Sequence, residues 1–151
     1  MAGLQLSTHL GHYEGEIAAR IALGDDVRAD LRAVPRCVYT DPELGAVGLL
    51  LEQARERGID AVEHTADLAT SSRGYVSEAE GHVSIVVDRS SRTLVGCFIG
   101  GPAGTEAIHE AVLAIKVRTP IDVLADTIHA FPTTARVLGG LFAKAALELR
   151  G

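Results

Sequence analysis

The sequence predicts an α+β domain, an antiparallel β-sheet with helices packed on it. Two observations support this prediction. Apolar and polar residues alternate at 83–87, and after a polar turn a more apolar strand returns at 94–99, which is the pattern of a β-hairpin. Two long segments at 104–117 and 132–149 then repeat apolar residues at helical spacing. Because strands come first and long helices follow, we expect the helices to cover an antiparallel sheet.

The N-terminal element is a predicted helix over residues 7–23. Ser7 or Thr8 is a suitable cap, and a glycine followed by two aspartates ends the pattern at 24–26. One face of this helix is apolar, with Leu10, Tyr13, Ile17 and Ile21. In an isolated domain the helix has little to pack against, so we expect it to be the least secure element.

Short elements separated by turn residues are predicted between this helix and the hairpin. They are strands at 36–39 and 46–49, a helix at 51–57, a strand at 60–68 and a loop at 70–74. Residues 75–80 are too polar to assign. After the hairpin, a glycine-rich turn at 100–104 leads into the first long helix, and Thr119-Pro120 begins a short helical turn.

Composition limits the possible functions. The chain has 151 residues, is 47% hydrophobic and contains no tryptophan, so we expect one domain with an aliphatic core. A net charge of −6 argues against a nucleic-acid partner. No apolar run approaches the roughly 18 residues of a membrane span, and the N-terminus does not have the pattern of a signal sequence. Cys37 and Cys97 stand alone, which favours buried thiols and a cytoplasmic location.

The glycine-rich turn at 100–104 raises the possibility of a phosphate loop, since glycines before a helix direct backbone N–H groups at anions. The segment lacks both the Lys-Ser/Thr pair of a P-loop and the spacing of a dinucleotide site. We therefore interpret it as a tight connection between strand and helix. Ser71 and Ser72 do not lie in a nucleophile elbow either.

Six histidines raise the question of a metal site. His9 and His12 are three residues apart on the predicted N-terminal helix, but no further ligand completes a tetrahedral set at a recognised spacing. We predict no metal. For the isolated histidines we predict surface positions: His64, His82 and His109.

Two tracts, at 34–48 (VPRCVYTDPELGAVG) and 127–136 (TIHAFPTTAR), resemble parts of a known domain. They are similar to the opening strand pair and the closing active-site turn of the C-terminal interface domain of pyridine nucleotide-disulfide oxidoreductases. The resemblance implies a domain that pairs with a second copy of itself. It also implies a parent enzyme with FAD and NAD(P)H domains upstream.

The family places a histidine immediately before the Pro-Thr of the second tract and a glutamate four residues after the proline, as an acid/base pair for disulfide chemistry. Here those positions hold Phe131 and Arg136. Neither side chain exchanges a proton near neutral pH. The resemblance therefore implies a branch that does not reduce disulfides and whose flavin passes hydride to another acceptor, for instance a quinone or a second nicotinamide nucleotide. His129 lies two residues early, and no acidic residue of the tract replaces the glutamate, so we do not assign it as a displaced base.

Residues 3–23 resemble the helix that closes the family's FAD domain, which places Thr8 and His9 nearest the flavin of the parent. The Gly-Asp that precedes this helix in the family is absent, and Met1-Ala2 stands in its place. We therefore expect a fragment, with 1–30 the remnant of the FAD domain and 34–151 the dimerisation domain.

The resemblance thus predicts a homodimerising domain that has no cofactor and is inactive alone, with FAD and NAD(P)H in the parent oxidoreductase. The alternative is a free-standing regulatory or small-molecule-binding domain of the same fold, which needs a pocket with convergent polar groups. A start codon at Met1 without an upstream reading frame favours this alternative. A complete small enzyme is disfavoured because no acid/base pair, metal set or cofactor loop stands out in the sequence.

Overall fold

A five-stranded antiparallel sheet forms one layer of the fold in a computed structural model that describes residues 6–150. Predictions for residues 1–5, among them the replacement of Gly-Asp by Met1-Ala2, lie outside the described residues. The strands, in chain order, are β1 (Arg36–Val38), β2 (Leu44–Gly48), β3 (Ala61–Asp67), β4 (His82–Asp88) and β5 (Thr93–Gly100). Their order across the sheet is β1-β2-β5-β4-β3, and every neighbouring pair is antiparallel.

Six helices accompany the sheet within the described residues. They are α1 (Thr8–Ala22), α2 (Leu51–Glu56), α3 (Ser72–Ser77), α4 (Gly104–Val117), α5 (Ile121–Asp126) and α6 (Thr134–Glu148). α4 packs on β2 and β5, whereas α6 packs on β3 and β4 and against α5. The predicted α+β class, an antiparallel sheet with helices packed on it, is confirmed.

The main hydrophobic core lies between one face of the sheet and these helices. Its fully buried side chains include Val83, Ile85 and Val87 of β4, Ile108 of α4 and Phe142 of α6. The alternation that predicted the hairpin is the inward face of β4, since residues two apart in a strand point to the same side. Burial of a side chain of this size contributes about 1.5–3 kcal/mol, and the core is mostly aliphatic, as predicted.

One predicted loop is wrong. The sequence predicts a loop at 70–74 and gives no assignment for 75–80, but residues 72–77 form α3. Ser71 begins this helix, because its hydroxyl oxygen accepts a hydrogen bond from the backbone N–H of Gly74 at 3.1 Å. The polar composition of this segment therefore did not indicate the capped helix that it forms. The other elements differ from the predicted bounds by a few residues at each end, chiefly at β2, which begins at Leu44.

The weak packing predicted for α1 is confirmed. Leu10 is its only buried residue, and Ser7 occupies the N-cap position without a capping hydrogen bond from its side chain. The helix is held at its start by His9, whose Nε2 lies 2.8 Å from the carbonyl oxygen of Pro35. Further along, the Tyr13 hydroxyl accepts a hydrogen bond from the backbone N–H of Asp30.

Asp30 fixes the linker between α1 and the sheet. Its carboxylate contacts Arg32 at 2.9 Å and Lys116 of α4 at 3.1 Å. Partial desolvation tends to raise the pKa of this carboxyl, but the hydrogen bonds from Arg32 and Lys116 outweigh it and lower the pKa to about 2. A linker that pairs with α4 in this way is joined to the domain rather than loose. No helix of the described chain is long and apolar enough to cross a bilayer.

Candidate functional site

The segment between α5 and α6 forms a turn at 127–133, which contains most of the tract at 127–136. Thr133 occupies the N-cap of α6, where its hydroxyl oxygen accepts a hydrogen bond from the backbone N–H of Arg136 at 3.1 Å and donates one to the carbonyl oxygen of Ala130 at 2.6 Å. Thr134 donates to the carbonyl oxygen of Pro102 at 2.7 Å. These bonds fix the turn between the start of α6 and the glycine-rich connection that precedes α4.

The two positions singled out from the sequence lie on the outside of this turn. The side chain of Phe131 is 71% exposed, and Arg136 is exposed on the first turn of α6. Arg136 forms no ion pair within residues 6–150. Hydrogen bonds fix the turn, yet neither of these two positions provides a group that exchanges protons near neutral pH.

His129 forms a histidine–carboxylate pair that sequence reasoning missed. Its Nε2 lies 2.8 Å from Oε1 of Glu110, and its side chain is only 4% exposed. Glu110 belongs to α4, so the carboxylate comes from another helix rather than from the turn itself. Glu110 lies outside the tract at 127–136, and no local sequence signal links a glutamate on one helix to a histidine 19 residues later.

The ring of His129 also packs closely on α6. A β-carbon at Gly139 would lie 2.5 Å from Nδ1 of His129, so only glycine leaves room for the ring. The ring centroid is 6.2 Å from that of Phe142. With one nitrogen bonded to Glu110 and the ring buried against α6, His129 anchors the turn and is poorly placed to meet a reactant.

The glycine-rich connection before α4 is closed to an outside anion. Oε2 of Glu43 accepts hydrogen bonds from the backbone N–H and the hydroxyl of Thr105, at 3.2 and 2.6 Å. These bonds lower the pKa of the Glu43 carboxyl. Because a carboxylate of the chain itself already occupies the N-terminus of α4, the geometry agrees with the interpretation as a tight connection.

Thr8 and His9, the residues expected nearest a flavin, lie at the exposed start of α1. His9 faces Pro35, and its Nε2 also lies 3.1 Å from the Ser7 hydroxyl. His12 instead contacts Glu16 at 3.3 Å, so the two histidines of α1 have separate partners. Within the described residues, no group of three or more histidine, cysteine or acidic side chains is arranged to hold a metal ion.

The predicted surface position of His64 is wrong. Its side chain is only 3% exposed, because it lies between Val62 and Ala66 on the face of β3 that packs on α6. Nδ1 is 3.8 Å from Oε2 of Glu148, and Nε2 has no hydrogen-bond partner among residues 6–150. Burial lowers the pKa of His64, an effect that the Glu148 carboxylate opposes. His82 and His109 are exposed, as predicted.

Both cysteines are free thiols. Cys97 of β5 is buried, and burial raises the pKa of its thiol. Cys37 of β1 is half-buried, and partial burial raises its pKa as well. A thiol with a raised pKa is mostly protonated near neutral pH and is a poor nucleophile. Neither cysteine is therefore a candidate for the catalytic chemistry.

Comparison with protein families gives one match, which covers most of the chain. Residues 34–141 match the family described as the pyridine nucleotide-disulphide oxidoreductase, dimerisation domain. The chain belongs to this family. The match begins just before β1 and ends within α6, so it includes the whole sheet and the candidate turn.

Curated relatives and solved structures agree with this assignment. The chain is 38% identical over 126 residues to a dihydrolipoyl dehydrogenase of Halobacterium salinarum, a match that covers 83% of the chain and 27% of the relative. The corresponding enzyme of Geobacillus stearothermophilus is 32% identical over 130 residues, 85% of the chain and 28% of the relative. The chain thus spans less than a third of the length of these two relatives.

Two solved structures share the fold. LpdA of Mycobacterium tuberculosis superposes with a TM-score of 0.87 at 28% identity, over 94% of this chain and 31% of that one. RclA of Escherichia coli, described as an HOCl-induced flavoprotein disulfide reductase, gives a TM-score of 0.85 at 28% identity, over 93% of this chain and 33% of that one. Both matches therefore cover more than nine-tenths of this chain.

The helical layer of this dimerisation domain carries exposed apolar side chains. Ile128, beside Phe131 in the turn, is 97% exposed. Large apolar side chains are also exposed on all three helices next to the turn: Leu113 and Val117 of α4, Val123 of α5 and Leu147 of α6. These side chains give the helical layer several exposed apolar positions.

Proposed function

We propose that this chain is the dimerisation domain of a longer flavoenzyme, an FAD-dependent oxidoreductase that uses NADH or NADPH. Residues 1–30 then close the FAD domain, and residues 34–151 form the interface domain. The family match and the relatives' names, dihydrolipoyl dehydrogenase and flavoprotein disulfide reductase, support a parent of this kind. Because the chain spans so little of those relatives, the redox chemistry belongs to domains outside it, and we expect the 151 residues alone to be inactive.

In this proposal the helical layer pairs with the same layer of a second copy. The exposed apolar residues of the turn and its flanking helices support it, because burying large exposed apolar side chains in an interface is favourable. A twofold arrangement presents the same patch from both subunits. Phe131 then projects from one subunit towards the flavin of the other.

The proposal about the electron acceptor of the parent enzyme rests on Phe131 and Arg136. The turn that contains them is ordered by Thr133 and anchored through His129, which supports a defined position for both residues. The acid/base pair that resemblance to the family places there is replaced by Phe131 and Arg136. A flavoenzyme without this pair lacks the proton exchange that disulfide reduction requires. We therefore infer an acceptor other than a disulfide, such as a quinone or a second nicotinamide nucleotide.

Only a small part of the flavin site belongs to this chain. When bound, FAD supplies a two-electron carrier between the nicotinamide and the acceptor. At Gly11 and Gly15 of α1 a β-carbon would meet nothing within 4 Å, and most of the helix is exposed. This fits a helix covered by a domain outside the described residues. The bond from His9 to Pro35 would then orient Thr8 and His9 at the margin of the flavin site.

The free thiols favour a cytoplasmic location.

The test is an acceptor assay on the complete flavoenzyme that contains this domain. NAD(P)H oxidation is measured with a soluble benzoquinone, with oxidised lipoamide and with glutathione disulfide. We expect turnover with the quinone and none above background with the disulfides. Rapid disulfide reduction would overturn the acceptor proposal while leaving the dimerisation role intact.

A further inference from the structure

A groove runs between α3 and α6 beside the candidate turn. It has a volume of about 500 Å³, and Phe131 and Pro132 form part of its apolar wall. Its charged side chains are Arg73 of α3, Arg136 and Lys144 of α6, and Asp67 at the end of β3. We call this cavity the α3–α6 groove. It combines an exposed aromatic ring with three cations.

The three cations of the α3–α6 groove are available to an outside partner. Neither Arg73, Arg136 nor Lys144 forms an ion pair with any residue in 6–150, whereas other cations of the domain, such as Arg89 and Arg92, pair with acids. Asp67 is the one carboxylate in the lining, and its Oδ1 already accepts a hydrogen bond from the backbone N–H of Ala69 at 2.9 Å. The groove is therefore cationic.

The floor of the groove is a stripe on α6. Arg136, Gly140 and Lys144 are spaced four residues apart, so they lie along one side of the helix. Glycine in a helix interior costs about 1 kcal/mol relative to alanine. Packing within the described domain does not require Gly140, because a β-carbon there would meet nothing within 4 Å. Its neighbour Gly139 is different, since His129 fills the space beside it. Gly140 keeps space open between two cations.

We propose that the α3–α6 groove binds an aromatic acceptor that carries an anionic group, a carboxylate or a phosphate. This inference rests on the proposed function and names its substrate class. Phe131 offers a face for the aromatic body, since aromatic rings pack favourably in offset or edge-on contact. Arg136 and Arg73 offer planar guanidinium groups that bind carboxylates and phosphates through paired hydrogen bonds, and Lys144 adds a further positive charge.

The substitution at 136 agrees with this assignment. Where the resemblance places a glutamate, this chain has an arginine, so the charge at the edge of the turn is reversed. A carboxylate there would repel an anionic acceptor, whereas the guanidinium attracts it. The change from histidine to phenylalanine at 131 gives the same turn an aromatic surface. Together the two substitutions convert a proton-exchange site into a site suited to an anionic aromatic molecule.

The first test is a ¹H–¹⁵N titration of the 151-residue chain with four compounds: 2-naphthyl phosphate, 2-naphthoate, 2-naphthylmethanol and inorganic phosphate. The two naphthyl anions are expected to shift the amides of residues 71–74 and 131–144, with saturation. The uncharged alcohol and phosphate alone are expected to bind at least tenfold more weakly. The ratio between the two naphthyl anions identifies the preferred anion. Equal binding of the anions and the alcohol would overturn the inference.

The second test uses a matched pair of variants at one position. Gly140→Glu places a carboxylate between Arg136 and Lys144, whereas Gly140→Gln adds similar bulk without charge, and the open space at Gly140 lets both fold. We expect Gly140→Glu to weaken binding of 2-naphthyl phosphate at least tenfold relative to Gly140→Gln. Arg136→Ala should weaken it similarly, and Arg55→Ala, which removes an exposed cation of α2, should not. Equal affinities for the Glu and Gln variants would contradict the proposal.

These tests are separate from those of the proposed function. The titration needs neither flavin nor nicotinamide, and the acceptor assay does not depend on which anion binds here. A complete flavoenzyme that reduces quinones, together with a groove that shows no preference for anions, overturns the inference about the substrate class alone. Disulfide reduction by the flavoenzyme overturns the acceptor proposal on which this inference rests.

Discussion

His129 and Glu110 form a part-buried pair, with Nε2 of the histidine 2.8 Å from Oε1 of the glutamate. This contact joins the turn at 127–133 to α4, the helix that packs on the centre of the sheet. The ring of His129 is only 4% exposed, whereas the side chain of Glu110 is 25% exposed. The position of the turn, and hence of Phe131, depends on this pair.

We predict that Glu110→Ala destabilises the domain by about 1–3 kcal/mol, since it leaves a buried histidine without its partner. The free energy of unfolding, measured by urea titration, checks this. Glu106→Ala is the control, because Glu106 is an exposed residue of the same helix. If both substitutions change the free energy of unfolding by the same small amount, the pair of His129 and Glu110 does not stabilise the turn.

Adjacent glycines of α6 are predicted to respond oppositely to alanine. Gly139→Ala introduces a β-carbon 2.5 Å from Nδ1 of His129 and should destabilise the domain by about 1–3 kcal/mol. Gly140→Ala meets nothing within 4 Å and should stabilise it by roughly 0.5–1 kcal/mol, through the better helix propensity of alanine. Thermal unfolding of the two variants gives the comparison. A stabilising effect at both positions would show that the ring of His129 does not pack there.

The pH dependence of stability is predicted to include a contribution from His64. Burial lowers its pKa in the folded domain, while Glu148 opposes this effect and Lys144 and Arg89 add to it. The unfolded chain takes up a proton near pH 6.5, and the folded chain does so only at lower pH. The contribution of neutral His64 is therefore complete above pH 6.5. It is lost as the pH falls through 6.5 towards the folded pKa, at up to about 1.4 kcal/mol per pH unit.

The measurement is urea unfolding between pH 8 and pH 5 for the wild type and for His64→Leu. The variant should show a flatter dependence on pH in this range, because leucine does not titrate. His82→Gln, at an exposed position of β4, should keep the wild-type slope. If His64→Leu shows the same dependence of unfolding free energy on pH as the wild type, His64 is not the group responsible.

Dimer affinity is predicted to depend on the exposed residues of the turn. Ile128→Glu places a charge at a side chain that is 97% exposed in the single subunit, so the fold should be unchanged. Burial of that charge in an interface is costly, and we expect the dissociation constant of the dimer to rise at least tenfold. Leu23→Glu, at an exposed apolar residue just after α1, should have no effect. Sedimentation equilibrium of the three proteins decides the matter, and an unchanged constant for Ile128→Glu would exclude this surface from the interface.

Local patterns predicted much of the fold. The β4–β5 hairpin could be recognised because alternation within a strand is set by neighbouring residues, and the long helices because their apolar stripes repeat regularly. The helix at 72–77 was missed because the capping bond of Ser71 depends on a side-chain geometry that the polar sequence does not reveal. The prediction of an exposed His64 was wrong. His64 shares a face of β3 with Val62 and Ala66, and both of these residues pack against the core.

The candidate site could be predicted only in part. The sequence located the turn at 127–136, because its residues are consecutive and resemble a known motif. The pairs that hold the turn and its surroundings join distant residues. Glu110 and His129 lie on different elements, and Glu43 and Thr105 are 62 positions apart. The α3–α6 groove likewise is lined by residues from 65–73 and from 131–144, which are far apart in the sequence. Such contacts follow from tertiary packing rather than from any local pattern.

The most direct test of the dimerisation role is the solution mass of the chain, measured by light scattering over a concentration series. The account predicts a species of twice the 15.9 kDa chain mass that persists on dilution until its dissociation constant is reached. A mass equal to one chain throughout the series would contradict it, because the apolar helical layer would then remain uncovered.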